Sequence, residues 1–89
     1  MSHKRVDQNQ TTIVDALRQH GASVISLATL GKGCPDILIG YHEQNILAEI
    51  KGKHGKLNTL QRCWHDNWRG ARVIVLRTVE DAYACLQHQ

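Results

Sequence analysis

Two apolar runs, Asp36–Tyr41 (DILIGY) and Ile46–Lys51 (ILAEIK), lie four residues apart in a chain of 89 residues. The polar segment between them, His42–Asn45, has room for a turn and nothing more. Such a pair reads as an antiparallel β-hairpin. A two-stranded ribbon is not stable alone in water, so the rest of the chain must widen the sheet and cover it. The length allows one modest core and no second one.

The covering elements are legible by their period. Ile13, Ala16, Leu17 and His20 recur at i, i+3, i+4 and i+7, which predicts a helix over 9–20, stopped by Gly21. Residues 1–8 form a polar lead, expected to be flexible. Ala22–Leu27 reads as a strand, and Ala28–Pro35, with two glycines and the only proline, as a loop. After the hairpin, Gly52–Lys56 (GKHGK) is a basic loop expected to flex at its glycines. Asn58 has the character of a helix N-cap, with Gln61 as its capping-box partner, and that helix runs to about Trp68. Arg72–Leu76 is a last strand, and Thr78 with Asp81 caps a final helix reaching about Gln87. The order α-β-β-β-α-β-α predicts a single α/β domain over 9–89, a small mixed β-sheet flanked by helices.

Composition narrows the setting. Hydrophobic residues make up 42% of the chain with no Phe, so the core is aliphatic. No apolar run approaches the roughly 20 residues of a membrane span, and the polar start is not a secretory signal. Cys34, Cys63 and Cys85 are far apart with no CxxC pair, which fits reduced thiols and not a disulfide framework. Together these predict a soluble, cytoplasmic protein with no membrane partner. A net charge of +3 and a pI near 9.0 point toward an anionic partner.

The chemistry lies in Gly33–Lys51. Pro35-Asp36 is followed, after twelve residues, by Glu49-Ile50-Lys51. Period-two alternation puts Glu49 and Lys51 on one face of their strand. A hairpin closed over His42–Asn45 pairs Tyr41 with Ile46, which sets Asp36 opposite Lys51 and diagonal to Glu49. Diagonal neighbours are roughly 7–8 Å apart at the backbone, so both carboxylates reach one ion. Two carboxylates suit Mg²⁺, which takes oxygen ligands, keeps several waters and is often completed by substrate phosphate. Such an ion polarises a scissile phosphate, and Lys51 is placed to neutralise charge growing on it. The bland alternative makes Asp36 a turn cap and Glu49 with Lys51 a solvated cross-strand set. The pattern at this spacing arises by chance in on the order of one chain in a hundred, and a charged pair inside an apolar strand needs a reason.

Gly33-x-Pro35-Asp36, the short hairpin, Glu49-x-Lys51 and Gln61 at the start of the next helix resemble the virus-type replication-repair nuclease (VRR-NUC) domain. That domain is a branch of the PD-(D/E)xK nuclease superfamily. The resemblance runs from the Asn9 helix to the final helix and fits the compact stand-alone form of phages and bacteria. It implies a restriction-endonuclease-like fold and a Mg²⁺-dependent DNA endonuclease, with Mn²⁺ able to substitute. By position, Asp36 and Glu49 would be metal ligands joined by the backbone carbonyl of Ile50. Lys51 would be the catalytic lysine and Gln61 would stand beside the active site. The family's first-helix Glu corresponds to Gln10, a departure from the pattern. The resemblance also implies a homodimer acting on branched DNA such as four-way (Holliday) junctions, in DNA repair, recombination or phage DNA processing, inside a bacterial or phage-infected cell. The alternative is a non-catalytic nucleic-acid-binding module on a degenerate nuclease fold.

Among other residues, Lys32, Lys53, His54 and Lys56 are candidate DNA contacts, and Lys4 with Arg5 a candidate basic arm. Asp15 reads as a surface residue and Asp7 as a helix cap. The six histidines are scattered. Cys63-x-His65 does not share a helix face, so no zinc site is expected. Trp64 and Trp68, at i, i+4, read as core or interface ahead of a base-stacking platform. His20 suits the negative end of its helix.

Overall fold

The computed structural model of the protein describes the backbone of residues 2–87 and the side chains of residues 9–87. The element order is α1 (Ser2–Gln19), β1 (Ser23–Ser26), a 3₁₀ turn (Ala28–Leu30), β2 (Ile37–Tyr41), β3 (Gln44–Ile50), α2 (Thr59–Asn67), β4 (Ile74–Leu76) and α3 (Val79–Gln87). The sequence of helices and strands is the expected one. The first helix, however, starts at Ser2 and not at Asn9. Residues 2–8 hold no Gly or Pro, so nothing in them interrupts a helix. The side chains of Lys4, Arg5 and Asp7 lie outside the described residues.

The four strands form one mixed sheet in the order β1-β2-β3-β4, antiparallel except for the parallel pair β3–β4. α2 connects that parallel pair, as a crossover requires. One sheet face carries Val24, Ile37, Ile39, Ile46, Ala48, Ile50 and Leu76, all buried against Ile13 and Leu17 of α1 and Ala82 and Leu86 of α3. α1 ends in a Schellman motif. Ala22 N–H donates to Leu17 O at 3.1 Å and Gly21 N–H to Arg18 O at 3.0 Å, with Gly21 at φ +92°. His20 stacks on Tyr83 of α3 at 4.2 Å, an interhelix contact in place of a purely electrostatic role. Among the described residues no helix is long and apolar enough to cross a membrane.

The hairpin differs from expectation in register. Tyr41 pairs with Gln44, and Ile37 with Ala48. The turn is two residues, His42-Glu43, both with positive φ (47° and 64°). That is the backbone of a type I′ turn, whose twist matches the strands. It was hidden because neither residue is the Asn, Asp or Gly that usually marks it. The shift is by two residues, so every side chain keeps its face.

The second sheet face meets α2, and Gly33 fixes how closely. Gly33 has φ +85°, and a Cβ there would collide with the Leu60 carbonyl at the start of α2. Pro35 beside it is fully buried. Gly33→Ala is therefore expected to cost about 2 kcal/mol or more, from overpacking and a positive φ together. Urea unfolding checks this; an unchanged midpoint would contradict the contact.

Candidate active site

The second face is apolar at its centre, with Leu38 and Leu47, and polar at the end where β2 begins and β3 finishes. One step beyond Ile37↔Ala48, the same register sets Asp36 directly opposite Glu49. This corrects the diagonal placement and brings the carboxylates closer. Asp36 Oδ2 accepts the Ile50 N–H at 2.7 Å and its side chain is hydrogen-bonded to Glu49. Ile50 thus reaches the site through its peptide, while its side chain lies in the core.

Glu49 is 1% exposed, the one charged residue buried among the described residues. Both its oxygens are held from α2. Gln61 Nε2 donates to Oε2 at 3.3 Å, and His65 Nε2 lies 3.2 Å from Oε1. These side chains are four apart on one helix face. Gln61 is itself fixed by the predicted capping box: its Oε1 accepts the Asn58 N–H at 3.0 Å and its N–H donates to Asn58 Oδ1 at 2.9 Å. One side chain therefore both starts α2 and orients Glu49.

Burial pushes the Glu49 carboxyl up to about 8, reinforced by the hydrogen bond and the negative charge from Asp36 and opposed by Lys51. His65 moves the other way, lowered chiefly by burial and also by the Lys51 charge, with Asp66 and Asp36 opposing. Both shifts favour neutral forms. Burial therefore weighs against an ion pair and in favour of a neutral hydrogen bond between Glu49 and His65. A cation bound between Asp36 and Glu49 would displace the proton that burial favours on Glu49.

Lys51 follows the end of β3. Its N–H donates to Leu76 O at 3.1 Å and its carbonyl accepts from Asn9 Nδ2 of α1 at 3.0 Å. Gln10, the expected first-helix residue, lines a small cleft with Val14, Val24 and Ile37, while its neighbour Asn9 reaches the backbone at the end of β3. Asn9 lies four residues before Ile13, so the stripe that predicts the helix already pointed to it. His65 was also missed. Its helical spacing from Gln61 is the sequence signal for it.

The candidate DNA contacts fall on two sides. Lys53, His54 and Lys56 are exposed on the loop that leaves Lys51. Lys32 is exposed at the other side of α2, beside Leu60 and Trp64. Asp15 is exposed, as expected. Trp64 and Trp68 stack at 4.7 Å but neither is buried, and α2 has no buried residue. With Leu27, Leu30, Leu38 and Leu47 they line an open cleft of about 470 Å³. The chain matches no family model, no curated protein and no solved structure.

Among the described residues no three His, Cys, Asp or Glu side chains are grouped as an all-protein metal cage. The Asp36–Glu49 pair nevertheless fits a hard divalent cation. Its donors are oxygens, and Mg²⁺ is commonly held by one or two carboxylates with water completing the shell. The raised proton affinity of Glu49 gives the sign of the pH dependence. Stability from the bound proton is fully present below the ordinary value of 4.5 and is lost as pH rises through about 8. The lowered His65 acts below its ordinary 6.5, where falling pH destabilises. Above 6.5 the Glu49 trend stands alone. In EDTA the Tm should therefore fall from pH 6.5 to about 8.5, and Glu49→Gln should flatten that slope. Mg²⁺ or Mn²⁺ should raise Tm more at the upper pH than at the lower. A flat wild-type profile, with no cation effect, would contradict the assignment.

Proposed function

We propose that the protein is a Mg²⁺-dependent DNA endonuclease of the PD-(D/E)xK type, resembling the VRR-NUC branch, with a restriction-endonuclease-like fold. The observation that carries this reading is the buried Glu49 facing Asp36 across the hairpin, with Lys51 two residues further along the chain. A carboxylate pair of this kind is costly to maintain in a sheet unless it holds something positive. Asp36 and Glu49 would hold Mg²⁺ or Mn²⁺, with the Ile50 carbonyl as a further oxygen. The ion's chemistry would be to polarise the scissile phosphate and supply a water nucleophile at neutral pH.

The chain's own residues do the rest. Gln61 and His65 orient Glu49. Lys51, whose charge already acts on Glu49 and His65, stabilises charge developing on the phosphate. Lys32, Lys53, His54 and Lys56 contact phosphates on either side of the site. Gln10, the counterpart of the family's acidic residue by the resemblance, is a neutral amide, and so is Asn9, which meets the Lys51 carbonyl. That observation favours the second reading, a nucleic-acid-binding module without catalysis. A second copy of the chain would cover the open cleft over Leu38, Leu47, Trp64 and Trp68, and a two-fold dimer matches a two-fold junction.

The test is cleavage of labelled four-way junction, flap, nicked and linear duplex DNA with Mg²⁺, Mn²⁺ or EDTA. Metal-dependent cutting is expected, favouring branched DNA. Glu49→Ala should abolish it, and Lys51→Ala should slow it by about 100-fold or more. Wild-type binding without cutting would replace this reading with the binding module.

A further inference from the structure

The basic loop after Lys51 is ordered, contrary to its glycine content. Gly55 N–H donates to Gly52 O at 3.2 Å, closing a turn with Lys53 and His54 at its tip. Arg77 holds both ends of that turn. Its Nη1 donates to Gly52 O at 2.7 Å and to Gly55 O at 2.6 Å. One guanidinium nitrogen carries two hydrogens, so both bonds are made at once, and Gly52 O uses both its lone pairs.

The anchor is fixed in turn. Arg77 follows β4, and its backbone N–H donates to Asp81 Oδ2 at 2.8 Å. Asp81 also caps α3, accepting from Thr78 N–H at 3.2 Å, while Thr78 Oγ1 accepts the Asp81 N–H at 3.0 Å. On its inner side the turn rests on the Lys51 stem. A Cβ at Gly55 would stand 3.5 Å from both Lys51 Cβ and Cδ.

We infer that Arg77 is a positioning residue: it clamps the Gly52–Gly55 turn against Lys51 and so presents Lys53 and His54 as a preformed phosphate-backbone contact beside the site. The inference rests on the nuclease reading for its ligand, DNA phosphate. Two glycines in a free loop would lose much conformational entropy on meeting DNA, and the clamp meets that cost during folding. With its Nη1 committed to carbonyls, Arg77 acts on DNA through the turn and not by direct contact.

Two measurements separate the clamp from the parent reading. Amide hydrogen exchange of the DNA-free protein compares wild type with Arg77→Met and Arg77→Lys. Exchange across residues 52–56 should rise about 10-fold or more in Arg77→Met, while α1 and β2 keep their protection and so report an intact fold. Arg77→Lys, with a shorter stem and no planar fork, should fall between. Binding of a labelled four-way junction in EDTA then compares Arg77→Met, Lys53→Ala and the double variant. Arg77→Met should weaken binding about as much as Lys53→Ala, and the double variant no further. Unchanged exchange at 52–56 overturns the clamp. Additive losses overturn the positioning role and make Arg77 a direct phosphate contact. A wild type that binds no junction overturns the nuclease reading and the phosphate role, and exchange then decides the clamp by itself.

Discussion

A carboxyl group with 1% of its surface exposed must be hydrogen-bonded, neutralised or both, and Glu49 is such a group near the end of a central strand of the four-stranded sheet. Its partners come from around the fold. Asp36 reaches it from the bend before β2, Gln61 and His65 from α2, and the Lys51 charge from just beyond β3. α2 buries no residue of its own. What ties it down is its capping box, two side chains on Glu49 and the close approach at Gly33. The position of this helix is thus set more by a polar contact than by packing.

The sheet divides its labour by face. Toward α1 and α3 it presents Ile37, Ile39, Ile46, Ala48 and Ile50, and closes a continuous aliphatic core. Toward α2 it presents Asp36, Leu38, Leu47 and Glu49, and stays partly open. The strict alternation of β3 makes this possible, since Ala48 and Ile50 secure the strand while Glu49 between them faces the site. Asn9 and Leu76 hold the Lys51 backbone, so α1 and β4 also touch the Lys51 end of β3.

Most of this was legible because it rests on period and capping, which are local. The α1 stripe, the two strands of the hairpin and the Asn58–Gln61 box are each encoded within a few residues. The hairpin register was not, because His42 and Glu43 adopt left-handed backbone that their residue types rarely signal. A two-residue shift leaves the faces intact, and for that reason Asp36 and Glu49 still meet on one face. Asn9 and Gln10 are neighbours on one helix, and choosing between them needed the position of β3. His65 is marked in the sequence only by its helical spacing from Gln61, and Arg77 by nothing local. Each acts on a segment distant in sequence, Arg77 on glycines more than 20 residues away.

The proposed function requires that a divalent cation bind between Asp36 and Glu49 and displace the proton that burial favours on Glu49. Calorimetric titration of Mn²⁺ at pH 7, repeated in buffers of different ionisation enthalpy, tests it most directly. The account predicts saturable binding that releases close to one proton per cation, and no proton release from Glu49→Gln. Binding without proton release, or none that depends on Asp36 and Glu49, would contradict it.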